Sequence, residues 1–366
     1  MHDAKVPASE SLGQSRYDRL TQPAPISEQA WPADVTPVVS VCCVTYNHGP
    51  FVRQCLDGFL MQETTFPVEI LLHDDASTDD TAAVIREYAE RHPALFKPIL
   101  QTENQYSKGV SPNIQFNIPR ARGRYIALCE GDDYWTDPRK LQLQADFLER
   151  NPEYVICYHD AEVVDESGLV INESLLKDEW KRDYSADDLR LAAWTATLTR
   201  CYRNIRVDIP EEFNRVVSRD IFSTVLLGRH GKGKYIDSIR PARYRQHSGG
   251  VYSGRSKEDQ ALGSFDSRLY MYLYHRRVSG KEFALRFLSE RVLPLAEGIE
   301  PGANPITRKI SRLQDELRQL RTSRTYRLGC VLTHPAKTLL KLLSSRGWRR
   351  GVLADLADSR DSPRNP

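Results

Sequence analysis

The fold class predicted for this chain is α/β: a doubly wound, mixed but mostly parallel sheet, followed by a mainly helical C-terminal extension. Three observations predict it. Over residues 38–160, apolar runs alternate with segments whose apolar residues recur at helical spacing. The first run, Val38-Val39-Ser40-Val41-Cys42-Cys43-Val44, is apolar and β-branched, as a strand covered on both faces requires. From about residue 256 the chain changes character and reads as helix.

The elements follow in order. Residues 1–35 are rich in Ser, Pro, Gln and Ala without sustained periodicity, and read as a disordered or loosely wrapped tail. After the first strand, Thr45-Tyr46-Asn47-His48-Gly49-Pro50 is a break, and Val52, Cys55, Leu56, Phe59 and Leu60 mark a helix. Val68–Leu72 is a second strand, ending in His73-Asp74-Asp75-Ala76-Ser77-Thr78-Asp79-Asp80-Thr81, whose hydroxyls and carboxylates suit the start of the next helix. Phe96–Leu100 is a weaker strand that Pro98 places at an edge. Glu103–Asn117 is a polar loop running into a helix. Tyr125–Cys129 is a fourth strand, Asp137-Pro138 starts a helix with Leu141, Ala145 and Leu148 on one face, and Tyr154–Tyr158 is a strand again. Beyond residue 160 the pattern loosens. Ala193–Arg200 is a candidate strand, Arg219–Leu227 the start of a helix and Tyr235–Asp237 a short strand, and a glycine turn closes Tyr244–Val251. These residues are expected to form a wall and lid over the first half. The domain so defined spans 36–255, the helical extension 256–350 and a disordered tail 351–366.

Within the extension, Ile306, Ile310, Leu313, Leu317 and Leu320 form a seam of about two heptads, enough for a docked helix or a contact between copies. Residues 326–350 mix apolar positions with Arg327, Lys337, Lys341, Arg346, Arg349 and Arg350. They suit either a membrane surface or the protein's own core.

The 366 residues carry a net charge of +2, so bulk charge excludes a strongly basic nucleic-acid binder. Seven Cys, an odd number without a CxxC pair, read as buried free thiols in a reducing cytosol. The polar N-terminus offers no signal peptide, and no apolar run reaches the about 18 residues that span a bilayer. The expected location is cytoplasmic, with the inner face of the cell membrane as an alternative.

The stretch that organises the chain is Glu130-Gly131-Asp132-Asp133-Tyr134-Trp135. It puts two adjacent carboxylates at a strand end, where ligands of open α/β sheets sit. Such a pair suits a hard divalent cation and its diphosphate; it would equally suit a solvated turn.

With Val41–Asn47 and His73–Thr81, this stretch forms an ordered set. The set resembles the inverting family 2 glycosyltransferases, which have the GT-A fold. The likeness covers residues 38–165 well and 190–255 more loosely. It implies that Thr45, Tyr46 and Asn47 lie against the nucleotide, with Tyr46 beside the base. Asp75 would accept the N–H of a uracil- or thymine-type base. Asp132 would approach the ribose or the metal, and Asp133 would bind Mg²⁺ or Mn²⁺. Asp220 would be the general base, and His247 would reach the metal or diphosphate. Each has a plainer reading: a rim aromatic for Tyr46, helix caps for Asp74, Asp75 and Asp220, a structural histidine for His247. Two departures from the family stand out: Asp-Asp-Ala-Ser replaces the usual Asp-Asp-Gly-Ser, and the QxxRW motif of processive members is missing. The implied reaction moves a sugar from a nucleotide-diphosphate donor to a saccharide or lipid-linked hydroxyl. The rivals are a catalytically silent, membrane-associated sugar or nucleotide binder and a sugar-1-phosphate nucleotidyltransferase. The latter lacks the glycine-rich, basic loop it would need after the first strand.

Overall fold

A computed structural model describes residues 19–250 and 256–297. The 306–320 seam, the basic 326–350 segment and the 351–366 tail lie outside the described residues. The chain divides into two compact units, 19–207 with 226–250, and 208–225 with 256–297.

The first unit begins with a part of the N-terminal segment that packs in place. Strand β1 (Ala24–Pro25) pairs antiparallel with β3 (Glu63–Thr64), and Ile26 is buried among the core residues. The central sheet contains β2 (Val39–Thr45), β4 (Val68–Asp74), β5 (Phe96–Leu100), β6 (Tyr125–Glu130), β7 (Tyr154–Tyr158), β10 (Cys201–Arg203) and β11 (Lys232–Tyr235). Their order is β11-β7-β10-β6-β2-β4-β5. Every pairing is parallel except the two made by β10. A second sheet has the order β12-β8-β9, from β12 (Ala242–Arg245), β8 (Ala161–Val164) and β9 (Val170–Asn172).

The double covering explains the apolar runs. Along β2, Val39, Val41 and Cys43 enter the main core, with residues of α1 (Val52–Leu60), α2 (Thr81–Arg91) and α3 (Lys140–Arg150). Cys42 points the other way and packs with Leu71, Ile126 and Leu128. Pro98 lies in β5, at the sheet's edge as its missing N–H demands. Of the described Cys, all six are buried and free.

Three expectations need correction. Ala193–Arg200 contains no strand: Thr197–Thr199 is a 3-10 turn, and the strand is β10, just downstream. The strand expected at Tyr235–Asp237 lies earlier, at β11. The helix expected from Pro138 starts at Lys140, the backbone of 137–140 turning first through a Lys140 N–H bond to the Asp137 carbonyl. The short helix α4 (Ala186–Arg190) is closed by a capping box between Ser185 and Asp188.

The second unit is helical: α5 (Arg219–Leu227, whose last two residues belong to the first unit), α6 (Lys257–Val278), α7 (Lys281–Phe287) and α8 (Leu293–Glu297). Ser256 caps α6 by accepting the Asp259 N–H. Phe213 meets Phe222, which meets Tyr274, at ring separations of 5.5 and 5.3 Å.

Lys140 is a fully buried cation in the first unit. Its ammonium donates to Gln144 Oε1 and stands 4.3 Å from the Trp135 ring centre. Burial pushes its pKa down to about 8, from 10.5. Below pH 8 folded and unfolded chains both hold the proton and the buried charge costs stability in full, on the order of 3 kcal/mol. Between those two values only the unfolded chain still binds the proton, so stability rises with pH. We expect the urea unfolding free energy of the wild type to rise relative to Lys140→Met between pH 8 and 10. A constant difference across that range would mean that Lys140 is not strained by its charge.

Candidate active site

Parallel register brings the ends of three strands level: Thr45 lies beside Asp74 and Val44 beside Glu130. The loops that follow are tied together. Thr45 Oγ1 donates to Asp74 Oδ1 at 2.8 Å, and the same carboxylate accepts the Ser77 hydroxyl and amide. Asn47 sits at φ 55°, giving its amide N–H to Ser77 Oγ and accepting the Thr78 N–H on its side chain. The Gly49 N–H donates to Asp79 Oδ2. Ala76 is held at φ 64°, a left-handed conformation that costs an L-residue roughly 1 kcal/mol. Tyr46 escapes this clip and is 44% exposed.

Asp75 is buried and engaged. Its two oxygens accept the amides of Gln105 and Tyr106, at 2.8 and 2.9 Å, and His73 Nε2 lies 3.3 Å from Oδ1. His73 stacks on Phe116, and burial lowers its pKa although Asp75 opposes this. Asp75 thereby fixes the turn at 105–106.

After β6 the backbone must pass close to the first loop. A side chain at Gly131 would collide with Thr45 Cγ2 and stand 3.0 Å from His48 Nδ1. The next two residues then diverge. Asp132 Oδ2 lies 3.0 Å from His247 Nε2 and 3.6 Å from His48 Nε2. Asp133 is 3% exposed, and its Oδ1 accepts the Arg245 N–H at 2.8 Å. Burial opposes ionisation of Asp132, but the His247 bond and the nearby His48 outweigh it and hold the carboxyl below its ordinary range. Asp133 is pushed up, by burial first and then by the charges of Asp132 and Glu130. Burial also lowers the His48 pKa against the pull of Asp132.

Strand β12 delivers both partners. Tyr134 and Arg243 exchange backbone hydrogen bonds, which sets Arg245 and His247 opposite the acidic pair. Arg245 is 4% exposed. Its guanidinium donates to the carbonyls of Asp132, Asp165 and Glu166 and to Gln54 Oε1, between the rings of Phe51 and Tyr134. The His247 ring packs on Phe51, 4.9 Å between centres.

Asp132, His247 and His48 are therefore one cluster, with potential ligand atoms all within 4.8 Å of one another. Asp132 Oδ1 and His48 Nδ1 are buried without a hydrogen-bond partner. An orphaned carboxylate oxygen beside two imidazoles fits a divalent ion. Asp133 is adjacent but committed on one oxygen to Arg245. Thr45, Asn47 and Asp75 hold the neighbouring loops in shape. Asp220 belongs to the second unit, in the first turn of α5. That helix begins at Arg219, so Asp220 is inside it rather than capping a helix that starts at Ile221. Sequence reasoning gave His48 and Arg245 no role. Their only linear signal was membership of the quoted loops, because the fold brings the loop after β2 and the end of β12 beside Asp132.

Residues 40–222 match the family described as Glycosyl transferase family 2. An uncharacterized protein of Mycobacterium tuberculosis is 41% identical over 218 residues, 58% of this chain and 60% of that protein. The uncharacterized glycosyltransferase EpsJ of Bacillus subtilis is 33% identical over 121 residues, 33% of each chain. This chain thus spans 60% of the length of the curated relatives it matches at 41% identity. Among solved structures, residues 1–349 of S. aureus TarS in complex with UDP-GlcNAc align at TM-score 0.49 and 18% identity, covering 69% of this chain and 73% of that one.

Arg245 carries a specific prediction. Arg245→Met leaves several buried acceptors unpaired and is expected to lower the unfolding free energy by roughly 3 kcal/mol. Arg245→Lys should recover little, because one ammonium cannot reach all of those acceptors. Urea denaturation in which the Lys variant matches wild type would contradict this account.

Proposed function

Because the chain belongs to glycosyl transferase family 2, we propose that it is an inverting transferase. It moves a sugar from a nucleotide-diphosphate donor, of UDP or dTDP type, to a hydroxyl of a saccharide or lipid-linked acceptor. The observation that carries this reading is the Asp132–His247 pair at the strand ends, with an unpartnered carboxylate oxygen beside it.

Each residue has a part. Tyr46, exposed beside the clipped first loop, offers a ring to the base. Thr45 and Asn47 hold that loop to the one after β4, which keeps the donor's berth in one shape. Asp75 retains lone pairs beyond those given to Gln105 and Tyr106, and one of them accepts the base N–H. Asp132 and His247 hold the ion. Asp133 is held beside Asp132 by the Arg245 amide. Mg²⁺ or Mn²⁺, when bound, supplies positive charge against the developing charge of the leaving diphosphate.

The reaction is a single displacement. The acceptor oxygen forms its bond to the anomeric carbon from the face opposite the leaving group, while the carbon–oxygen bond to the diphosphate breaks. Asp220 takes the acceptor proton. The leaving group needs no proton, so one carboxylate suffices as base, unlike the acid–base pair of inverting hydrolases. Among the described residues no helix is long and apolar enough to cross a membrane. The acceptor is proposed to be met at the cytoplasmic membrane face.

Two variants test these assignments. Asp220→Asn should abolish transfer while donor binding stays within a few-fold; retained turnover, or lost donor affinity, removes Asp220 from the base role. Asp132→Ala should lose metal-dependent donor binding, read by thermal shift with nucleotide sugars plus and minus Mn²⁺. If Asp133→Ala loses it and Asp132→Ala does not, the two roles exchange.

A further inference from the structure

His48 is the one member of the metal-capable cluster that neither the sequence motifs nor the proposed reaction uses. Its Nδ1 is buried and unpartnered, and its Nε2 stands 3.6 Å from Asp132 Oδ2, beyond hydrogen-bond reach. The ring is half-buried, at 14% exposed, and Nε2 faces the Asp132 carboxylate without a close hydrogen bond to it. Its backbone is pinned, since the His48 carbonyl accepts the N–H groups of Phe51 and Val52 at the start of α1. The flanking Asn47 and Gly49 are clipped to Ser77, Thr78 and Asp79. The ring is thus presented by a rigid loop, its centre 6.1 Å from that of His247 and nearly perpendicular to it.

We propose that His48 is a direct ligand of the divalent ion, which is then held by two imidazoles and one carboxylate, and that this site selects Mn²⁺ over Mg²⁺. The inference rests on the metal-dependent reading above. The spacing suits it: ligand atoms 3.0 and 3.6 Å from Asp132 Oδ2 need little movement around an ion with bonds of about 2.1 Å, whose adjacent ligands stand roughly 3 Å apart. The donor set gives the selectivity. Mg²⁺ is a hard ion that prefers oxygen and keeps its water, whereas imidazole suits the later transition ions and Mn²⁺ accepts both nitrogen and oxygen. A site with two nitrogens thus penalises Mg²⁺ more than Mn²⁺. His48 also ties the ion to the donor loop of Tyr46, so metal and base-binding residues share one rigid element.

The test uses the full chain and manganese chloride alone, without nucleotide. Mn²⁺ binding is followed by loss of the free-ion EPR signal, and pulsed EPR of the bound ion reads nitrogen coupling. Two coupled imidazoles are expected in the wild type and one in His48→Ala, with affinity weakened at least about tenfold. His48→Gln is the second variant, and is expected to give one imidazole as well. Mg²⁺ should displace the bound Mn²⁺ only at about a hundredfold excess or more. A single imidazole in the wild type, no Mn²⁺ binding, or displacement by equimolar Mg²⁺ overturns the proposal. A single imidazole in the wild-type spectrum overturns the first point even if a variant does not fold. Two imidazoles on Mn²⁺ with no nucleotide sugar consumed would sink the transferase reading and leave this one standing. Mn²⁺-dependent transfer with one imidazole would do the reverse.

Discussion

Two neighbouring carboxylates, one buried and one half-buried, at the end of a buried strand cannot both remain charged and unpartnered. That constraint governs the first unit. Asp133 meets it by turning inward to the Arg245 amide, and Asp132 by turning to His247 and His48. The two are driven to opposite titration behaviour, Asp133 protonating readily and Asp132 staying ionised. Arg245 completes the arrangement without touching either carboxylate through its guanidinium. It binds main-chain carbonyls, including that of Asp132, and so fixes the backbone from which the two side chains diverge. Since removing one partner of a buried charge costs more than the pair contributes, the acidic stretch and the end of β12 must be kept together.

The first and second loops obey a related rule. Asp74 and Asp75 are adjacent and both buried, yet they serve different masters. Asp74 gathers Thr45 and Ser77 and locks the loops after β2 and β4 to each other. Asp75 points to the opposite side and captures two amides of the 105–106 turn. Alternation along a strand sends neighbours to opposite faces, so one dipeptide stabilises two separate loops. Ala76 then turns the chain at a positive φ. The strain it carries is local and tolerated because Ser77 is held on both its amide and its hydroxyl.

Much of this was legible in the linear chain. Uninterrupted apolar runs marked β2, β4, β6 and β7 because a strand covered on both faces has no solvent side to report. The helices α1, α2 and α3 showed their periodicity for the same reason, each burying one face. Where the runs are short or half-exposed the reading failed: β10 is three residues long, and its antiparallel place between β6 and β7 is set by partners distant in sequence. The pairing of Ala24–Pro25 and the burial of Ile26 leave no periodic trace in the sequence.

The sequence by itself determined the long strands and helices between β2 and β7, the loops that carry polar chemistry and the family to which they belong, because strand burial and turn chemistry are local properties. Only the tertiary structure decided which carboxylate of the pair meets the histidines. Adjacent residues on a turning backbone diverge, and the direction each takes follows from what lies across from it. Here that is β12, more than a hundred residues further along the chain, held beside Asp132 by the Tyr134–Arg243 bridge.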